Sequence, residues 1–172
     1  DATTTIAAGS LNSSAYDQSQ NWSSGTSIVN GSPSEGTAIG NLFDGANSSY
    51  PGDFLTGADG RVLKFEPSTG LTGVTSIRYY SYNGSDRHKI NGGSWSANSG
   101  SGQGWKTGYS GPAITLTKLE LQKADGASYV KIGSIEINGK LLVSPGVSVP
   151  NVPSIASTVR ANPSAGFSIV TY

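Results

Sequence analysis

ITLTKLELQ at residues 114–122 and YVKIGSIEIN at residues 129–138 decide how this chain is read. Apolar residues recur at every second position in both, the period of a strand with one buried face. Midway through each stretch the parity reverses. Ile114 and Leu116 give way to Leu119 and Leu121, and Val130 and Ile132 give way to Ile135 and Ile137. A strand holding one face on a core cannot do this without an inserted residue or a bend, so β-bulges are predicted near Thr117-Lys118 and Gly133-Ser134. Asn138-Gly139 then reads as a two-residue hairpin turn that pairs residues 135–137 with residues 141–143.

Moving upstream, VTSIRYYSY at residues 74–82 is the strongest strand by propensity, dense in β-branched and aromatic residues. Its faces read as Ile77 with Tyr79, and Val74 with Tyr80 and Tyr82. RVLKFE at residues 61–66 alternates, with Leu63 and Phe65 sharing one face and Pro67 ending the run. Asn91-Gly92-Gly93 is a turn that wants positive φ. Residues 94–111 are almost wholly Gly, Ser and Asn apart from Trp95, Trp105 and Tyr109, the composition of a loop held down by its aromatics. No segment keeps a helical period over ten residues. The fold class is therefore all-β, with antiparallel sheets packed face to face as a β-sandwich.

Three regions follow from composition. Residues 1–33 form a Ser/Thr-rich segment with isolated anchors, Trp22 among them, that is expected to wrap the core. Residues 34–143 form the sandwich module. Residues 144–172 form an extended connector carrying Pro145, Pro150, Pro153 and Pro163, closing in a strand-like GFSIVTY. The fold is thus expected to carry extended N- and C-terminal arms. Within the module, NLFDGANSSY at residues 41–50 places Leu42 and Phe43 as core anchors ahead of a polar turn. In that turn Asp44 and Asn47 either bond their own backbone or hold a hard cation.

Charged residues make up 13% of the 172, about half the usual share, and the 24 glycines are about twice the usual share. Solubility must then come from Ser, Thr, Asn and Gly, a habit of extracellular β proteins. With 11 basic residues scattered against 11 acidic ones there is no electrostatic footprint for nucleic acid or an anionic membrane. No run is long and apolar enough for membrane insertion. Cys is absent, so stability rests on burial and backbone pairing. The chain lacks Met, even at position 1, which suggests a processed product or a piece of a longer protein.

Catalytic signatures are missing from the pattern. His88 is the single histidine, and Asp86 beside it would orient an imidazole only by accident of fold; carboxylates are available for a glycosidase pair, but nothing in their spacing selects two. Gly100–Gly104 lacks the Lys and the strand-to-helix context of a phosphate loop. The reading is a non-enzymatic binding or structural module. Tyr79, Tyr80, Tyr82, Trp95, Trp105 and Tyr109 lie in strands and loops expected to converge at one edge of the sandwich, and aromatic faces flanked by Asn, Asp, Arg and His are what sugar rings stack on; Tyr80, Tyr82, His88 and Trp95 are the candidate ligand-binding residues.

NLFDGANSSY resembles the FDG turn near the start of galactose-binding-like (discoidin, or F5/8 type C) jelly rolls, and SIEINGKLLV resembles the strand near their end. The chain is more closely similar to modules of marine phage, particularly cyanophage, tail fibre and virion proteins, which combine NLFDG, an SYNGSDRHKINGG-like hairpin, a GWKTGYSGPAITLTKLEL-like segment and IEINGKLLV. This resemblance covers residues 16–143. It implies a jelly roll on the virion exterior that serves as a tail fibre, appendage or capsid decoration, in host-surface adhesion or particle assembly. Its partners would be other virion proteins, copies of itself, or a host-surface glycan. It also implies a structural calcium held by Asp44, Ser49 and Glu136, although Ala46 stands where an acidic residue is common. Two alternatives remain: a secreted carbohydrate-binding module, and a filament or cement subunit that exchanges strands with its neighbours.

Overall fold

Residues 15–29, 39–45, 54–55, 62–126 and 130–147 are described by the computed structural model. All lie within one compact unit, Ser14–Val149. In chain order they give β1 (Tyr16–Asp17), a 3-10 helix at Trp22–Gly25, β2 (Thr26–Val29), a second 3-10 helix at Ile39–Phe43, β3 (Phe54–Leu55), β4 (Val62–Phe65), β5 (Leu71–Ser81), β6 (Asp86–Ile90), β7 (Gly104–Leu116), β8 (Leu119–Lys123), β9 (Lys131–Ile137) and β10 (Lys140–Leu142). The chain is mostly β, and the strands form two sheets. One runs β1-β10-β9-β5-β7 with β3 also on β9, and the other runs β2-β4-β8-β6. Pairing is antiparallel except between β1 and β10.

One hydrophobic cluster draws on both sheets. Leu63 and Phe65 of β4 and Leu119 and Leu121 of β8 meet Ile77 and Tyr79 of β5 and Ile132, Ile135 and Ile137 of β9. The alternation read from residues 61–66 is therefore the burial pattern of β4, in which Leu63 and Phe65 are buried and Val62 and Lys64 are not. Both 3-10 helices bring anchors to the same core. Trp22 packs its ring 6.1 Å from Phe65, and Phe43 lies at the same distance on a tilted axis. The Trp22 indole donates to the Asp17 carbonyl at 2.8 Å, so this large ring is buried with its polar atom satisfied. Leu42 and Phe43 are 1% and 0% exposed, and Gly45 after them takes φ +83°, the left-handed turn that an Asp-Gly step accommodates.

The two parity reversals have different physical origins. Between Tyr80 and Ser81 the β5 pairing advances from Ser134 to Ile132, leaving Gly133 as an extra residue in β9, which is the expected bulge. At Thr117-Lys118 the expectation of a bulge is corrected: β7 ends in the six-stranded sheet and β8 begins in the four-stranded one. Leu116 at the end of β7 and Leu119 at the start of β8 both reach the shared cluster, so the two residues that link the sheets leave opposite parities pointing inward on either side. Two further expectations are corrected. Residues 104–111 are strand rather than loop, because an edge strand paired along β5 needs few apolar side chains of its own. Val74 is buried with Ile77 and Tyr79 rather than grouped with Tyr80 and Tyr82.

Asn91-Gly92 and Asn138-Gly139 are both turns with positive φ, at +51° and +74°, and +51° and +75°. The second closes the β9–β10 hairpin as expected, but with Lys140 opposite Ile137 and Leu141 opposite Glu136, one residue earlier than the expected pairing of residues 135–137 with 141–143.

Candidate functional site

With Ile77 and Tyr79 pointing into the core, Arg78 and Tyr80 stand on the outer side of the six-stranded sheet. Trp105 of β7 lies opposite Tyr80 in register, and the two rings meet edge to face with centroids 5.5 Å apart. The Arg78 guanidinium carbon sits 4.7 Å from the indole centroid, within cation–π range, while the same side chain reaches Glu136 at 3.3 Å across the β5–β9 pairing. Gln103 donates to the Tyr80 hydroxyl at 2.9 Å, fixing the ring from the adjoining loop. Arg78 remains 42% exposed at its side chain, so the group brings an indole, a phenol, a guanidinium and a partly exposed carboxylate together on the outer side of the sheet.

The outer side of the four-stranded sheet carries a second such group. Trp95 holds the Arg87 guanidinium 4.8 Å and the Lys89 ammonium 4.7 Å from its ring centroid. Lys89 pairs with Glu120 at 3.1 Å, and Arg87 donates two hydrogen bonds to the Gln122 side chain at 3.2 and 2.7 Å. Trp95 is positioned by residues 93–100, which run along β6. Ser96 donates its amide to the His88 carbonyl at 2.8 Å and takes the His88 amide on its hydroxyl at 3.0 Å. Ser99 repeats both bonds with Asp86, at 2.7 and 3.1 Å.

Beneath this strap lies a buried polar group. Asp86 has no exposed surface; its Oδ2 accepts from the Ser81 hydroxyl, and the Lys123 ammonium stands 3.8 Å from its Oδ1. Burial pushes the Asp86 carboxyl up, against the pull of Ser81 and Lys123. Burial likewise pushes the Tyr79 hydroxyl up to about 12. His88 points inward, its ring meeting Tyr79 at 6.2 Å in a T-shape, and burial lowers its pKa. Its Nδ1 lies 3.1 Å from the Ser96 hydroxyl, the kind of pair nucleophilic catalysis uses. That hydroxyl is already engaged by the His88 amide and by the Ala97 carbonyl at 2.9 Å, which makes it a tether in the strap.

The four ligand-binding residues read from the sequence thus fall in separate settings. Tyr80 belongs to the outer group of the six-stranded sheet, and Tyr82 packs against the Lys131 ammonium at 3.4 Å. His88 is turned toward Tyr79, while Trp95 lies on the other sheet. Arg78 is the partner that the sequence reading left out, while Trp105 belongs to the wider aromatic set read from the sequence but not to its four chosen residues. The available signal was the alternation of β5, which puts Arg78 beside Tyr80; the pairing with Trp105 needs the register of β7.

Of the implied calcium ligands, Ser49 lies outside the described residues. Asp44 follows the second 3-10 helix, and Glu136 faces Arg78 in register and is paired with it. Among the described residues no three His, Cys, Asp or Glu side chains stand together as a metal site. Among the described residues no helix is long and apolar enough to cross a membrane. A scan against protein-family models finds no match for the chain, and a search of curated proteins finds no similar one.

Proposed function

We propose that the chain is a non-enzymatic β-sandwich module of the jelly-roll, galactose-binding-like kind, carried on the exterior of a phage virion and acting in host-surface adhesion or particle assembly. The resemblance of NLFDG, the SYNGSDRHKINGG hairpin and IEINGKLLV to virion modules supplies the setting. The observation that carries the adhesive reading is the outer group of Arg78, Tyr80, Trp105 and Glu136, where aromatic rings and charged hydrogen-bonding groups share one surface. Such a surface suits a saccharide, whose apolar ring faces stack on aromatics while its hydroxyls bond to charged side chains. Low affinity at one copy is compatible with adhesion when many copies are displayed together.

Titration of the full chain against surface polysaccharides, followed by Trp fluorescence and by retention on intact host cells, tests this reading. Saccharide binding that falls about fivefold or more in Trp105→Ala, at an unchanged melting temperature, is the expected result. Absence of any saccharide or cell binding, together with concentration-dependent self-assembly, would overturn adhesion in favour of a structural subunit.

A further inference from the structure

We infer that β5–β6 and β8–β9 are two copies of one strand–turn–strand unit, interlocked so that the closing turn of each copy clasps the start of the other's first strand. Two side chains make the clasps, Asn91 and Asn138. Asn138 Oδ1 accepts from the Thr75 amide at 2.8 Å, the Ser76 amide at 3.1 Å and the Thr75 hydroxyl at 3.2 Å, while its Nδ2 donates to the Gly73 carbonyl at 3.0 Å. Asn91 Oδ1 accepts from the Thr117 amide at 2.8 Å, the Lys118 amide at 3.1 Å and the Thr117 hydroxyl at 3.0 Å, while its Nδ2 donates to the Thr115 carbonyl at 2.7 Å. The backbone repeats the match: Asn138 donates to the Ser76 carbonyl at 3.0 Å, and Asn91 donates to the Lys118 carbonyl at 2.9 Å. Every bond in one clasp therefore has its counterpart in the other at the same chain offset.

The pairing beside each clasp is equivalent as well. Ile137 lies opposite Ile77, and Ile90 lies opposite Leu119, each the first core pair after the clasp. One step further, Glu136 faces Arg78 and Lys89 faces Glu120, two cross-strand ion pairs of opposite polarity. In both pairs the cation lies 4.7 Å from the centroid of a tryptophan, Trp105 in one sheet and Trp95 in the other.

The sequence carries the same repetition once the geometry says where to look. GVTSIRYYSYNG at residues 73–84 aligns without a gap on TLTKLELQKADG at residues 115–126: Val over Leu, Thr over Thr, Ile over Leu, and Asn-Gly over Asp-Gly. Each copy then ends in Ile-Asn-Gly, at 90–92 and 137–139. Copy one sends its first strand to the six-stranded sheet and its second to the four-stranded sheet, and copy two does the reverse. Neither copy pairs its own two strands. β5 pairs with β9 and β8 with β6, so each sheet is completed by a strand from both copies.

The outcome is read on the full chain with Asn91→Gly and Asn138→Gly, since glycine keeps the positive φ of these turns without strain and removes only the clasping side chain. Amide hydrogen exchange and thermal melting are measured together. In the unaltered chain the amides of Thr75, Ser76, Thr117 and Lys118 are expected to be protected. Asn138→Gly should release Thr75 and Ser76 alone, Asn91→Gly should release Thr117 and Lys118 alone, and the two melting-temperature losses should agree within about a factor of two. Should either variant fail to fold, Thr75→Val and Thr117→Val, which each remove one clasp hydroxyl, take its place with the same expected equality. Unprotected amides in the unaltered chain, or one clasp that matters while the other is silent, would overturn the inference.

Discussion

His88 sets how the buried polar group answers to acid. Its imidazole is half-buried against Tyr79, and burial holds its pKa below the ordinary value of about 6.5. As pH falls through that value the unfolded chain takes up a proton that the native chain refuses. The stability associated with this ring is therefore complete above about pH 6.5 and is lost as pH falls toward the folded pKa. Asp86 acts with the opposite sign. Its raised pKa lets the native carboxyl take a proton before the unfolded one does, so stability rises as pH falls through the folded pKa toward the ordinary carboxylate value of about 3.9. Urea midpoints compared between the unaltered chain and His88→Gln separate the two, because the Asp86 contribution is common to both. The variant is expected to lose less stability than the unaltered chain between about pH 7 and pH 5. A parallel fall in both would mean that His88 does not titrate as described. At this scale the sequence spoke unevenly. Asn91-Gly92 announces a positive φ by residue type alone, yet the use of the Asn91 side chain depends on Thr115, Thr117 and Lys118, whose nearness is a product of the fold.

β6 is an edge strand, and an open edge invites pairing with other chains. The strap of residues 93–100 closes it with alternating backbone and hydroxyl bonds from Ser96 and Ser99. The double variant Ser96→Ala with Ser99→Ala leaves the Asp86 and His88 amides without their acceptors. Native-state exchange at those two amides should speed up by roughly an order of magnitude, with the amides of β8 unchanged. Uniform acceleration over both strands would instead indicate global destabilisation. Elements were legible where one local pattern decided them, as in β4, where Leu63 and Phe65 alternate with polar neighbours. They were illegible where a neighbour decided them. Residues 104–111 of β7 are strand because β5 lies beside them, and their Gly, Ser and Thr content gives no hint of that. The reversal at Thr117-Lys118 was visible in the sequence, but one chain segment looks alike whether it bulges within a sheet or crosses to another.

At the scale of the whole molecule, two sheets share one cluster and two interlocked units span both sheets, so neither sheet is independent of the other. The clasps differ in the length of chain they close. The side chain of Asn91 bonds residues 24–27 positions away, whereas that of Asn138 bonds residues 62–65 positions away. Closing the longer loop costs more chain entropy, and the larger span defers it to a later stage of folding. Chevron analysis should place the Asn91 clasp at a high φ-value, with Asn91→Gly chiefly slowing folding, and the Asn138 clasp near zero, with Asn138→Gly chiefly speeding unfolding. Equal rate effects from the two variants would contradict this order. Two bonds sets of like geometry would then divide their duties in time: Asn91 governs how soon the native state is reached, and Asn138 governs how long a molecule, once folded, stays so.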